Sequence, residues 1–424
     1  MRKQKHTKVK KPNAFLYAFF YLTIYPILKI LFRFTVDRST YRPAKGPFIV
    51  VCNHQSFMDF LLVMLAIYPH HLNAVTAQKF FFYRPLTWFL PLMGCIPKHL
   101  FESDPRAIRK MFSVIKRGGK LLLFPEGRCT VDGGYMGMNR AAGKLIKKLD
   151  VPVVHCQIAG SYVCMPFWRR GLRFGRVHVT LSNLLTAADT QSLTIDEINH
   201  RLDRALSGAS TAPPQKPPRV FRANKLVEGL EQILYYCPLC RSEFTLETRN
   251  NTIHCTACRN EATMDRYAKL TPTPGNLVPA SIQEWYKEQV LFELESLRED
   301  VVLIETEAIV RMETPMRNGL AVCGNGRIWL DHTGWHFSGE LSGTNTTLFF
   351  PIETVPAIPF DPNDNFQIYA NGQFYAFTPK NNPCACAKFA TRGECAYWKF
   401  AHTVQMTDGA DCGFSRSRKE ALLL

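Results

Sequence analysis

The sequence predicts an α/β domain, then a small metal-stapled module, then a mainly β C-terminal domain, and three observations carry that reading. In the first half, short apolar, β-branched runs hand over to helix-like runs through polar clusters: residues 47–51 lead into Asn53-His54-Gln55-Ser56-Phe57-Met58-Asp59, and residues 120–124 lead into Pro125-Glu126-Gly127-Arg128. Two Cys-x-x-Cys pairs, Cys237/Cys240 and Cys255/Cys258, stand fourteen residues apart. Short alternating runs after residue 325 then flank Asn371-Gly372, a two-residue hairpin signal. A chain of 424 residues with 46% apolar content can bury the two or three cores this implies.

At the N-terminus Arg2, Lys3, Lys5, Lys8, Lys10 and Lys11 precede an apolar stretch over residues 14–34, interrupted by Pro26, Lys29 and Arg33. Its length suits a spanning helix, but the charges, the proline and the aromatics Phe15, Tyr17, Phe19, Phe20, Tyr21 and Tyr25 suit the interfacial zone. The expected element is a membrane-associated helix lying in the cytoplasmic leaflet, with residues 80–91 as a second apolar contact. No small-residue cleavage site follows the apolar run, which argues against a secretory signal peptide. The net charge of +17 is unevenly spread: residues 1–222 hold 34 Lys and Arg against 11 Asp and Glu, and residues 223–424 hold 18 against 24. So positive a first half attracts phosphorylated substrates and anionic leaflets. Nucleic acid is not an expected partner, because no recognisable binding module occurs there and its aromatics fall in apolar blocks.

The two polar clusters supply the chemistry. Residues 60–68 read as a buried helix, so His54 sits where a strand hands over to a helix, with Ser56 as N-cap and Asp59 at the third helical position of a capping box. Helical side chains lean toward the N-terminus, which aims the Asp59 carboxylate back at His54; there it can accept the Nδ1 proton and leave Nε2 as a base. In the second cluster Pro125 ends the strand and Gly127 lets backbone approach a ligand, while Glu126 and Arg128 are expected to project from the loop, Arg128 offering a fork of donors to a phosphate. The plainer alternatives are a helix cap with an ordinary loop histidine, and a surface turn. Ser56 or Cys52 as a nucleophile would make a hydrolase, but neither lies in a nucleophile-elbow sequence.

These residues resemble the glycerolipid acyltransferase family, which includes the 1-acylglycerol-3-phosphate acyltransferases. Its first motif is matched by Asn53-His54 with Asp59 after four intervening residues. The Phe-Pro-Glu-Gly-Thr-Arg motif is matched through Phe124 to Gly127, but Arg128 follows the glycine directly and no threonine intervenes. A glycine followed by a basic residue is matched at Gly94-Cys95-Ile96-Pro97-Lys98, where lysine stands for the common arginine, and a fourth, apolar motif at Val151-Pro152-Val153-Val154, with His155 where proline is frequent. The likeness covers roughly residues 14–205. It implies that His54 takes the proton of an acceptor hydroxyl as that oxygen attacks an acyl thioester, acyl-CoA or an acyl carrier protein, without an acyl-enzyme. Asp59 would orient the imidazole, and Glu126, Gly127, Arg128 and Lys98 would hold the phosphate of lysophosphatidic acid or a related lysophospholipid.

A second capping box, Thr194 with Glu197, opens a helix expected to run to about Leu206 and close a domain over residues 1–206. A Ser-, Gly- and Pro-rich linker spans residues 207–224. Residues 225–268, with Cys237, Cys240, Cys255 and Cys258, fit a zinc ribbon; four cysteines leave no open position, so the Zn2+ is read as structural rather than catalytic. Two disulfides or a rubredoxin-like iron are the alternatives. Residues 282–298 read as a helix, and strands are expected at 326–330, 335–338, 347–350, 366–370 and 374–377, with a closing helix over 394–406. Over residues 280–424 several antiparallel strands and one helix look like a pleckstrin-homology or GRAM-type module. The competing function is a catalytically silent, lipid-binding membrane adaptor built on the ribbon and this module.

Overall fold

The computed structural model describes residues 9–42, 45–83, 85–169, 171–211, 220–221, 225–299, 301–313, 320–370 and 372–401. They form two compact units, the first drawn from residues 1–130, 135–164 and 175–217, the second from 131–134, 165–174 and 218–424.

In the first unit β1 (Thr35–Thr40), β2 (Ile49–Cys52), β3 (Leu72–Ala77), β4 (Ile96–Lys98), β5 (Lys120–Leu123), β6 (Val153–Ala159) and β7 (His178–Leu185) make one sheet, ordered β1-β7-β6-β2-β5-β3-β4. Every neighbouring pair is parallel except β6 and β7. The central strand β2 reads Ile-Val-Val-Cys and is wholly buried, the composition of a strand covered on both faces. The helices among the described residues of this unit are α1 (Ala14–Leu31) ahead of β1, then α2 (Asp59–Ala66), α3 (Leu86–Leu92), α4 (Pro105–Lys116), α5 (Ala141–Leu149) and α6 (Ser161–Cys164) between the strands, and α7 (Ala187–Ser192) and α8 (Ile195–Thr211) after β7. Asp104 caps α4 and Pro105 opens it, and its apolar side (Ala107, Met111, Val114, Ile115) joins Ile146 of α5 and Ile198 and Leu202 of α8 over Ile49 and Leu121 of the sheet. Thr194 and Glu197 cap α8 reciprocally as expected, but the helix continues to Thr211, past Leu206. The expected linker lies largely outside the described residues.

Two local expectations shift in this unit. Ser56 is not the N-cap of α2: residues 56–58 make a turn, Met58 is the cap and Asp59 is the first helical residue. Half of the capping box persists, with Ser56 N donating to Asp59 Oδ2 at 2.8 Å and Ser56 Oγ to Asp59 Oδ1 at 3.1 Å, while Ser56 Oγ accepts from Met58 N at 3.2 Å and Asp59 N donates to the Ser56 carbonyl. The apolar segment near residue 80 is split into a 3₁₀ turn, Gln78–Phe82, and the short α3.

Ahead of α1 the chain is stitched to the sheet. The Lys10 carbonyl accepts from Asn73 Nδ2 on β3 at 3.0 Å and from Arg117 Nη2 at 3.0 Å, and the Val9 carbonyl accepts from Arg117 Nη1. Asn13 caps α1, and the buried Tyr17 hydroxyl donates to Leu72 O at 3.0 Å while accepting from Leu72 N at 3.1 Å. Tyr21 stacks on Tyr68 at 4.1 Å between centroids, but one side of α1 points outward: only Tyr17 and Leu28 are buried, and Phe15, Leu22 and Ile30 are more than 70% exposed. With mean hydropathy 1.7 over 18 residues, α1 is long and apolar enough to cross a membrane.

The second unit holds two antiparallel sheets. A small one, ordered β11-β10-β9-β8, comprises β8 (Leu246–Arg249), β9 (Thr252–Cys255), β10 (Glu261–Met264) and β11 (Leu270–Pro272). Helix α9 (Ile282–Ser296), capped by Ser281, follows. The larger sheet comprises β12 (Ile304–Glu313), β13 (Leu320–Leu330), β14 (Gly334–Leu341), β15 (Thr344–Pro351), β16 (Phe360–Asp361), β17 (Asn365–Ala370) and β18 (Gln373–Pro379), in the order β15-β14-β13-β12-β18-β17-β16. Ala370 pairs with Gln373, and Gly372 ahead of Gln373 has φ +71°, while Asn371 of the expected hairpin signal lies outside the described residues. The closing helix α10 (Cys386–Ala396) begins eight residues before the expected position 394 and ends in a π turn, Tyr397–Ala401; residues beyond 401 lie outside the described set. Its small residues set that placement: a Cβ on Gly393 would come within 2.3 Å of Ile358 and 2.8 Å of Trp335, so only glycine lets α10 settle on that core.

Candidate active site and metal centre

Both polar clusters meet because their strands are neighbours: β2 pairs with β5 on one side and β6 on the other, and the segments after all three emerge at the carboxyl end of the sheet. Asn53 continues the β2–β6 seam, its side chain donating to Ile158 O at 2.9 Å and accepting from Ile158 N at 2.8 Å. That clamp fixes the next residue, His54, whose ring stacks on Phe124 at 4.2 Å between centroids and stays one-fifth exposed.

Asp59, wholly buried at the start of α2, accepts from His54 Nδ1 at 3.0 Å. A carboxylate can only accept, so Nδ1 carries the proton and Nε2 is the free nitrogen. The same oxygen accepts from Gln55 N at 2.5 Å and Ser56 N at 2.8 Å, and the other from Ser56 Oγ at 3.1 Å and Ser161 Oγ at 2.9 Å. Burial pulls the His54 imidazole down, but Cys129 and Asp59 beside it outweigh that and hold it well above its usual value. Ser56, fully buried on Asp59, and Cys52, fully buried in β2, are not presented as nucleophiles.

The second cluster departs from expectation at Glu126. It does not project: it is buried, with Oε1 accepting from His54 N at 2.8 Å and Oε2 from Met136 N at 3.0 Å. Burial pushes its carboxyl up to about 7 against those two amides. It therefore braces the histidine backbone, and both its oxygens are engaged. Gly127 has φ +73° and packs over Phe101, and Arg128 follows it, half-buried, on the same loop. Lys98 is not brought to His54 by the sheet order, for β4 is the edge strand, two places from β5; its ammonium donates to His99 O at 2.7 Å and Glu102 O at 3.2 Å.

Sequence reasoning missed Ser161, which follows β6, and Cys129, whose sulfur lies 3.5 Å from His54 Nε2. Strand order alone brings them in, and no spacing signals it. His155 is buried, burial pushing its imidazole down to about 4.

In the second unit the Sγ atoms of Cys237, Cys240, Cys255 and Cys258 lie within 4.8 Å of one another, with Cys237–Cys258 and Cys240–Cys255 both 3.7 Å apart. A tetrahedron with metal–sulfur bonds of about 2.3 Å has edges of about 3.8 Å, so the set fits a tetrahedral ion. Burial raises the Cys255 thiol, but the Thr245 hydroxyl and the Cys258 and Ala257 amides outweigh it and bring it down to about 6. The knuckle is tied to α9, where buried Gln289 accepts from Tyr235 N at 2.9 Å and Trp285 Nε1 donates to Tyr236 O at 2.8 Å.

Residues 33–159 match the family model described as Acyltransferase. The chain is similar to two chloroplastic 1-acyl-sn-glycerol-3-phosphate acyltransferases: BAT2 of Brassica napus, 26% identical over 166 residues (38% of this chain, 47% of that protein), and LPAT1 of Arabidopsis thaliana, 27% over 166 residues (38% and 44%). The 1-acyl-sn-glycerol-3-phosphate acyltransferase of Bacillus subtilis is 20% identical over 129 residues (30% and 64%). The chain spans about half the length of the first two relatives. Among solved structures it is similar to the 1-acyl-sn-glycerophosphate acyltransferase PlsC of Thermotoga maritima, with 21% identity and a TM-score of 0.41, covering 46% of this chain and 79% of that one.

Proposed function

We propose that residues 33–159, which match the Acyltransferase family model, form a glycerolipid acyltransferase domain, and that the protein transfers a fatty acyl group from an acyl thioester to the free hydroxyl of lysophosphatidic acid or a related lysophospholipid. The observation that carries the proposal is the 3.0 Å contact between Asp59 and His54 Nδ1, which leaves Nε2 on a partly exposed ring as the base for the acceptor hydroxyl. As the proton arrives, the carboxylate stabilises the imidazolium. Glu126 holds the His54 main chain in place, and Gly127 and Arg128 contact the acceptor phosphate. Lys98, its ammonium held by two carbonyls, contributes positive potential at the rim.

The four thiolates hold a structural Zn2+, supported by the 3.7 Å sulfur separations and a set with no open position. The larger sheet of the second unit, four strands then three with the first strand joined to the last and a helix following, supports the reading as a pleckstrin-homology-like module. The exposed apolar side of α1 supports attachment to a bilayer, whose cytoplasmic face is the side we propose. Purified protein should move radiolabelled acyl groups from acyl-CoA or acyl carrier protein to members of a lysophospholipid panel. Absence of transfer to any acceptor with either donor overturns the reading.

A further inference from the structure

One donor to the Asp59 carboxylate comes from outside its own loop. His54 Nδ1, Gln55 N, Ser56 N and Ser56 Oγ all lie within five residues of Asp59, whereas Ser161 Oγ, 2.9 Å from Oδ1, reaches it from just past β6, 102 residues along the chain. That position is built by the sheet. Val51 and Cys52 of β2 pair with His155 and Cys156 of β6, the Asn53 side chain bonds both backbone groups of Ile158, and Gly160 at φ +93° turns the chain so that Ser161 opens α6. The residue before His54 and a residue three before Ser161 are thereby joined, which keeps the hydroxyl in register with the imidazole–carboxylate pair. Ser161 is fully buried, as is Asp59. Its hydroxyl has one proton to give: Gln55 Oε1 stands at 3.3 Å, and the nearer, charged oxygen of Asp59 takes it.

We propose that Ser161 is a positioning residue of this site, acting through Asp59: its hydroxyl anchors Oδ1 to the end of β6 and takes up part of the carboxylate charge, so that Oδ2 holds His54 without making the imidazole too basic to serve as the base. This deepens the proposed acyl transfer and rests on it for the reaction. The hydroxyl presents its positive end to the pair and so opposes a further positive charge on the ring. The other titratable groups there are Asp59 from α2, Cys129 and Glu126 from the loop after β5, and Cys52 of β2 beside the two carboxylates. Cys129 and Asp59 already hold the imidazole well above its usual value, and a base must be unprotonated when the acceptor arrives. Without Ser161 Oγ, Oδ1 keeps only the Ser56 hydroxyl, and the buried carboxylate leans harder on the imidazolium. The proton is then held more tightly, a change opposite in sign to loss of the Asp59 charge.

The experiment treats the full chain with diethyl pyrocarbonate, which reacts with unprotonated imidazole, across a pH series and follows the His54 peptide by mass spectrometry; acyl transfer to lysophospholipids is measured over the same series. In Ser161→Ala the His54 titration and the acid limb of kcat/KM should both move up by about half a unit to one unit, so that kcat/KM on that limb falls about threefold to tenfold and the deficit narrows as pH rises. Ser161→Thr keeps the hydroxyl and should restore both readouts, and Ser161→Cys, a weaker donor of similar size, should fall between. A His54 titration unchanged or shifted to lower pH in Ser161→Ala, or a deficit equal at every pH that neither threonine nor cysteine relieves, overturns the role and leaves the proposed function standing where the wild type transfers acyl groups. The expected titration shift in a protein that acylates no lysophospholipid sustains the role of Ser161 on the pair and overturns the acceptor assignment.

Discussion

Asp59→Asn tests the imidazole–carboxylate pair with little collateral change, because the contacts around that side chain divide by type. Three N–H donors converge on Oδ2, whereas Oδ1 receives two hydroxyls, from Ser56 and Ser161. An asparagine oriented with its oxygen toward the N–H groups can turn its amide toward the two hydroxyls, which accept as readily as they donate. Geometry is kept, and the charge that stabilises the imidazolium is lost. Unit charges roughly 4 Å apart at an effective dielectric near 20 interact by about 4 kcal/mol, and each 1.36 kcal/mol is a factor of ten. Turnover should therefore fall by about a hundredfold to a thousandfold, with KM and melting temperature close to wild type. The pH profile gives an independent readout. Transfer needs His54 unprotonated at Nε2, and its raised pKa places the acid limb of kcat/KM above the ordinary imidazole value of about 6.5. With one of the groups that raise it neutralised, the limb should move to lower pH. Radiolabel transfer measured across a pH series decides the matter: turnover within tenfold of wild type, a loss confined to KM, or a limb that stays put refutes the reasoning.

Glu126→Gln should lower both melting temperature and turnover, because one of the two backbone N–H groups now facing carboxylate oxygens would meet an amide N–H2, at about 1–3 kcal/mol. Since the folded carboxyl titrates near 7 against an ordinary 4.5, the wild type should lose stability as pH rises through that interval, and the variant should lack this slope; equal slopes in thermal melts would count against it. Metal analysis should give one zinc per chain, and Cys255→Ser should abolish stoichiometric binding and lower the melting temperature of the second unit; full metal occupancy in the variant contradicts the four-sulfur assignment. Carbonate extraction should leave the protein in the membrane pellet through α1, and recovery wholly in the soluble fraction would remove the membrane assignment.

What could be read beforehand depended on how local the information was. His54 and Asp59 lie five residues apart, and the backward lean of a helical side chain is enough to pair them, although α2 begins at Asp59 rather than after Ser56. The four cysteines were legible for the same reason, since knuckle spacing is a property of short segments. Glu126 was misjudged because nothing in Pro-Glu-Gly-Arg says whether a carboxylate turns out to solvent or in to two amides. Cys129 and Ser161 needed the order of β5, β2 and β6, which is a long-range fact. Strand β12 escaped notice because Glu305 and Glu307 occupy its outward positions and mask the alternation that buries Ala308 and Val310 on the other face. The start of α10 was missed because Ala387, Ala390 and Gly393 give no large-residue stripe; there the fit against Trp335 favours the smallest side chains.

The stitching ahead of α1 bears on how the molecule can be handled. Trimming the chain to β1 to obtain better-behaved material would remove the carbonyls of Val9 and Lys10 and the hydroxyl of Tyr17, leaving Arg117 with the Asn73 side chain, Asn73 with the Gly94 carbonyl, and Leu72 without its hydroxyl partner. Such a truncation is a wound in the catalytic half as well as the loss of an anchor. Solubilising changes belong instead on the outward residues Phe15, Leu22 and Ile30.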